Sequence, residues 1–111
     1  MIIEILGTNY ELQKKCRQDE PKLNAMDAFC DHTSKSIVIC SDIDDGADVA
    51  DVNVYIRKVI RHEIIHAFLY ESGLGECATF DEDHYEQLVD WIAIQYPKLK
   101  EAFAKCGVDE R

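Results

Sequence analysis

Two histidines four residues apart, with a glutamate directly after the first, stand in the stretch Arg61-His62-Glu63-Ile64-Ile65-His66-Ala67. On an α-helix, residues i and i+4 are offset by only about 40° around the axis, so His62 and His66 can present ring nitrogens to one ion. Zinc accepts such a pair readily. Glu63 sits one step around, too far to be a ligand yet close enough to hydrogen-bond a water on the metal and take its proton, which is the position of a general base. Accident is the rival explanation. With four histidines and ten glutamates in 111 residues, shuffling spells HExxH somewhere in roughly 1% of sequences.

Catalytic zinc needs a third protein ligand and an open fourth position. The downstream candidates are Glu71, Glu76, Asp81, Glu82, Asp83, His84, Glu86 and Asp90. Glu71 lies nine residues from His62 on the same helix and points about 180° away. The acids from Glu76 to Asp83 fall in a turn and a first helical turn, where carboxylates favour the helix dipole and stay solvated. Glu86 and Asp90 differ, because they form their own i, i+4 pair: one carboxylate can reach the metal and the other can accept the second ring N–H of a ligand histidine. A solvated helix edge is the bland alternative for this pair. His84 competes for the third place, and since residues 84 and 86 diverge by about 200° on a helix, both cannot serve one ion. His84 can otherwise lie at the surface or face a developing oxyanion, for which Tyr85 and Tyr70 are weaker candidates.

These residues need elements to position them. From Asp48 the pattern is helical up to Ser72, before Gly73 and Gly75, with Asp48 and Asp51 placed to favour the N-terminal dipole. Apolar residues occupy most of its circumference, from Val52 through Leu69, which predicts a central, largely buried helix. Two histidines inside it without partners would be costly. A second apolar-faced helix is expected from the capping pattern Thr79-Phe80-Asp81-Glu82 to Pro97, then a short one over Lys98 to Lys105 stopped at Gly107. Upstream, Ile2 to Leu6 reads as a strand, Thr8-Asn9-Tyr10-Glu11 as the capping box of a first helix that fades before Pro21, and Asn24–Asp31 with Lys35–Ser41 as a hairpin. The hairpin and first strand would make a small antiparallel sheet. The acidic loop Ser41 to Gly46 does not spell a calcium loop, since Ile43 and Asp45 break the ligand alternation.

The totals narrow the function classes. At 111 residues one domain, 1–111, is expected, and 47% apolar with 31% charged residues is the composition of a folded chain. A net charge of −10 with scattered Lys and Arg argues against nucleic acid and anionic membranes as partners. Met1 to Leu6 is too short and acidic for an export signal, and no stretch is long and apolar enough to span a bilayer, so the cytosol is expected. The five cysteines form no CxxC pair and are expected reduced, mostly in the core.

HExxH followed on a later helix by ExxxD resembles the gluzincin branch of the zincin metallopeptidases. The run Glu86-Gln87-Leu88-Val89-Asp90-Trp91-Ile92-Ala93 is similar to the corresponding helix of ImmA/IrrE-type metallopeptidases, with Val89 in place of a small alanine. HEIIHAFLYESGL with VDWIA also resembles small zincin-like proteins carried by phages and prophages. The resemblance spans His62 to Ala93. It implies an α+β zincin-like minimal domain in which His62, His66 and Glu86 bind Zn²⁺, Glu63 is the base, Asp90 orients a histidine, and a peptide or protein is the substrate. A zinc-binding interaction domain that cleaves nothing, and a metal-free helical protein, are the rival expectations. Ile37 to Cys40, taken as an edge strand, would align a peptide by strand addition.

Overall fold

The computed structural model describes residues 1–43, 50–74 and 85–110. Within them the fold is α+β, with a four-stranded mixed sheet and two long helices. Strand β1 (Ile2–Ile5) alternates cleanly, with Ile3 and Ile5 fully buried and Ile2 and Glu4 exposed. The chain then reverses through Leu6 and Gly7, whose φ angles of 50° and 88° are both positive. A two-residue turn of this kind matches the right-handed twist of paired strands, so Ile5 faces Thr8 and a second strand must follow.

That strand, β2 (Thr8–Lys15), replaces the helix expected from Thr8-Asn9-Tyr10-Glu11. The capping pattern carried no weight because both edges of the segment are taken up by neighbouring strands, and Tyr10, at 0% exposure, is needed in the core. A turn of 3-10 helix (Pro21–Asn24) leads to β3 (Ala28–Asp31), which pairs antiparallel with β4 (Ser36–Cys40) as the expected hairpin. In the turn between them Asp31 Oδ1 accepts from the backbone N–H groups of Thr33 and Ser34. The sheet order is β1-β2-β4-β3, and β2 runs parallel to β4. The sheet is therefore mixed and not the antiparallel one expected, because β2 enters between β1 and the hairpin.

Helix α1 (Val52–Glu71) starts at Asp51, whose carboxylate accepts from the N–H groups of Asn53 (3.1 Å) and Val54 (3.2 Å). Asp48, the other expected cap, lies outside the described residues. Burial is confined to one side: Ile60, Ile64, Ala67 and Phe68 enter the core with Ile3, Ile5, Tyr10, Ala28, Ile37 and Ile39. The expectation of a helix buried nearly all round is corrected accordingly, and His62 and His66 are exposed. The opposite sheet face is closed by a smaller cluster of Leu23, Val38 and Cys40 under the 3-10 turn.

Helix α2 (Tyr85–Lys105) runs through Pro97 without stopping, where two helices were expected. Pro97 forfeits one backbone hydrogen bond. Trp91 on one side of it and Leu99, Ala102 and Phe103 on the other all pack on the same core, which holds both halves in line. Gly107, at φ 69°, ends the helix, and Val108 N–H returns to Phe103 C=O at 2.9 Å. The expected start at Thr79 lies outside the described residues. No helix among the described residues is long and apolar enough to cross a membrane. Cys16, Cys30, Cys40 and Cys106 are unbridged, and Cys77 lies outside the described residues.

The last residue of α1 is tied to the sheet. Glu71 accepts from the Tyr10 hydroxyl and from Lys35 Nζ, each at 2.7 Å, which holds its carboxyl down at a pKa of about 2, with Lys35 the larger cause. A depressed carboxylate pKa adds stability above the ordinary range near 4.5, and that stability is lost as pH falls toward about 2. Glu71→Gln is expected to cost about 1–2 kcal/mol at pH 7. Thermal melts of wild type and variant across pH 7 to 2 should converge in acid.

Candidate metal centre

Ile64 lies at the centre of the α1 core seam, and residues two positions either side of it are about 200° round the helix. His62 and His66 therefore stand on the open side of α1, one turn apart. Their Nε2 atoms approach to 3.0 Å, with the rings edge to face and centroids 4.7 Å apart. Two nitrogens on one tetrahedral zinc, each at 2.0–2.1 Å, would lie roughly 3.3 Å apart. The pair is thus set close to the geometry a shared ion requires. Neutral imidazoles can also satisfy this approach with one N–H···N hydrogen bond. Surrounding protein and then His62 push the pKa of His66 below its ordinary value, which favours the neutral, lone-pair-bearing ring.

Glu63 turns the other way, into the seam between α1 and β3. It is 7% exposed and has no hydrogen-bond partner among the described residues. Burial raises its pKa above the usual carboxylate range, with the charge of His62 opposing. The Cys30 thiol of β3 feels the same surroundings: burial first, then the Glu63 charge, push it up to about 12, so it is an inert thiol.

A cavity of about 230 Å³ opens beside His62 and Glu63, walled by Tyr55 and Val59 of α1 and by Asp27 and Ala28 at the start of β3. The Tyr55 hydroxyl donates to Asp27, which also receives Arg17 Nη2 at 2.9 Å; Tyr55 first and Arg17 second depress the Asp27 pKa. At the other end of β3, His32 stacks on Tyr70 with centroids 4.0 Å apart. Tyr70, a weak oxyanion candidate in the sequence, is one turn beyond His66. The sequence reading missed Tyr55, Asp27 and Ala28. Tyr55 was recoverable, since it precedes His62 by seven residues and so shares its face, whereas Asp27 and Ala28 arrive through the sheet.

The structure brings together His62, His66 and Glu63. Among the described residues no third histidine, cysteine or carboxylate completes a metal-binding group with them. Glu86, Asp90 and Tyr85 are on α2, which packs against α1, but their side chains lie outside the described part, as does all of His84. The expected role of Ile37–Cys40 as an edge strand is corrected: β4 lies between β2 and β3, and its backbone is already paired on both sides. The edge beside α1 is β3. No family model, curated protein or solved structure matches the chain.

Buried carboxylates are worse off charged than neutral, and the raised pKa of Glu63 means that stability is lost as pH rises from the ordinary carboxylate range through the raised value. Glu63→Gln keeps the shape and removes the charge. In metal-free protein at pH 7 it is expected to raise Tm by about 4–8 °C, the equivalent of ~1 kcal/mol for a domain near this size. The gain should shrink in melts recorded toward pH 4.

Proposed function

We propose that this chain is a zinc-dependent peptidase of zincin-like build, with His62, His66 and Glu86 holding the metal, Asp90 orienting a ligand histidine and Glu63 as general base. The observation that carries the reading is the convergence of the two histidine Nε2 atoms at 3.0 Å beside a buried glutamate. Chemistry of the donor set favours zinc, since neutral imidazoles with one carboxylate suit that ion and leave a fourth position open. Bound there, zinc would lower a water's pKa to about 7 and polarise a substrate carbonyl.

Every other part is supplied by the chain. His62 and His66 present lone pairs, and the lowered pKa of His66 keeps one available near neutral pH. Glu63 takes the proton of the attacking water; its raised pKa brings it nearer the operating pH, where a base transfers protons most efficiently. Glu63 can then pass that proton to the departing amine. β3, at the end of the strand order among the described residues, is the edge along which a peptide would pair, in place of β4. His84 and Tyr85 are left as residues that would contact the substrate or its oxyanion.

Metal content and hydrolysis separate this reading from its rivals. Wild type should carry one zinc per chain, and His62→Ala, His66→Ala and Glu86→Ala should each weaken it at least tenfold, while His84→Ala retains it. Loss in His84→Ala with retention in Glu86→Ala would overturn the third-ligand assignment. Glu63→Gln should keep zinc and cleave a reduced, carboxymethylated polypeptide about 10²-fold more slowly or worse. Stoichiometric zinc with no cleavage at all would instead identify an interaction domain.

A further inference from the structure

We propose that the cavity between β1 and the second half of α2 is a binding site for a zwitterionic dipeptide, whose ammonium stands between Glu4 and Glu101 and whose carboxylate meets Lys98 or Lys105. Neither the site nor its occupant depends on the peptidase reading. β1 is at the other end of the strand order from β3, and Phe68, at the floor of this cavity, is about 200° round α1 from His66. The cavity is thus on another side of the fold from the histidine pair. Its volume is about 410 Å³, within the roughly 300–1,000 Å³ of small-molecule sites.

The charges on its rim decide the chemistry. Lys98, Glu101, Ala102 and Lys105 fall within about 100° of one another round α2, so a single helix face lines the cavity, and Glu4 lines it from β1. All four charged groups are exposed. No ion pair joins them among the described residues, although Glu101 is three residues from Lys98 and four from Lys105, the spacings at which helix pairs form. An occupant of one sign would be repelled by half of this rim, whereas one carrying both signs finds a partner at each end. Along the axis Glu101 is about 4.5 Å from Lys98 and about 6 Å from Lys105, and the two residues of a dipeptide span at most about 7 Å.

The sheet supplies a further match. Met1 and Leu12 exchange both backbone hydrogen bonds, at 3.2 and 2.8 Å, and bonded pairs alternate with non-bonded ones along an antiparallel ladder. Ile3 and Tyr10 are therefore a bonded pair, Glu4 and Asn9 are not, and the Glu4 N–H and C=O point away from β2. They have no partner among the described residues. A free amino acid brings only its charged ends to these groups, while a dipeptide adds a peptide N–H and C=O. Leu6, half-buried at the turn, is the apolar surface left for a side chain, over a floor of Ile3, Phe68 and Ala102.

The test titrates ¹⁵N-labelled protein, held in EDTA so that nothing is cleaved, with alanyl-leucine, free leucine and the capped N-acetyl-alanyl-leucinamide. Alanyl-leucine is expected to shift the amide signals of Glu4, Leu6, Glu101 and Ala102 and to saturate at ~1 mM, with free leucine and the capped peptide each about tenfold weaker or worse. Glu101→Gln, and Lys98→Gln combined with Lys105→Gln, alter exposed groups that the fold does not need, and each should weaken alanyl-leucine about tenfold. High salt should weaken it as well. Equal saturation by the capped peptide, unchanged affinity in both variants, no saturable shift, or shifts confined to His62, Glu63 and their neighbours would overturn the proposal. Metal content and cleavage do not enter, so failure of this site and failure of the peptidase reading are separately visible.

Discussion

The rotational setting of α1 on the sheet is the constraint from which the rest follows. Ile60, Ile64, Ala67 and Phe68 must all reach the apolar face built by Ile3, Ile5, Ile37 and Ile39, and a helix advancing about 100° per residue has only one rotation that allows this. With Ile64 inward, His62 and His66 are carried to the open side and Glu63 to the flank that meets β3. Slipping the helix by one residue would bury both histidines in one direction, or expose the glutamate in the other. The core and the candidate site are therefore specified by one packing register.

Both ends of α1 hold that register. Asp51 caps the first turn through two backbone N–H groups, and Glu71 ties the last turn to Tyr10 of β2 and Lys35 beside β4. The middle of the helix is held less economically, because it carries a buried carboxylate, Glu63, that has no hydrogen-bond partner among the described residues. Desolvation raises the pKa of Glu63 and makes its ionised form a burden on the fold. Tyr55 and Asp27 show the ordinary arrangement for comparison: their polar atoms meet each other and Arg17. Partnered at Asp27 and without a hydrogen-bond partner among the described residues at Glu63, the two acids that line one cavity stand in opposite electrostatic settings.

The strand of Ile2–Ile5, the hairpin of β3 and β4, the site helix and its glycine stop were legible because each is spelled by local periodicity or turn chemistry. Thr8–Lys15 was not. Its TxxE pattern is satisfied locally by a helix, but Leu6 and Gly7 reverse the chain so tightly that pairing with β1 becomes obligatory, and β4 then claims the other edge. Pro97 misled in the opposite sense: it is a strong local stop, overridden because Trp91 and Leu99 are anchored on one core across it. Burial of the site helix was overestimated from its composition, since Val52, Val54 and Leu69 are apolar residues left partly open to solvent. With that, the cost of burial no longer argues for metal at the histidines, and their mutual geometry takes its place.

By itself, the sequence determined that His62, Glu63 and His66 share a helix and that two of them can meet one ion, because i, i+4 spacing is a property of the helix and needs no tertiary partner. It also determined where that helix stops, through Gly73. Only the tertiary structure decided which side of the helix is open, that β3 and not β4 forms the edge beside it, and that Ala28, from a distant part of the chain, closes a cavity with Val59. Those outcomes depend on strand order and on the register of helix against sheet. Both are set by contacts between residues far apart in sequence, which no local pattern encodes.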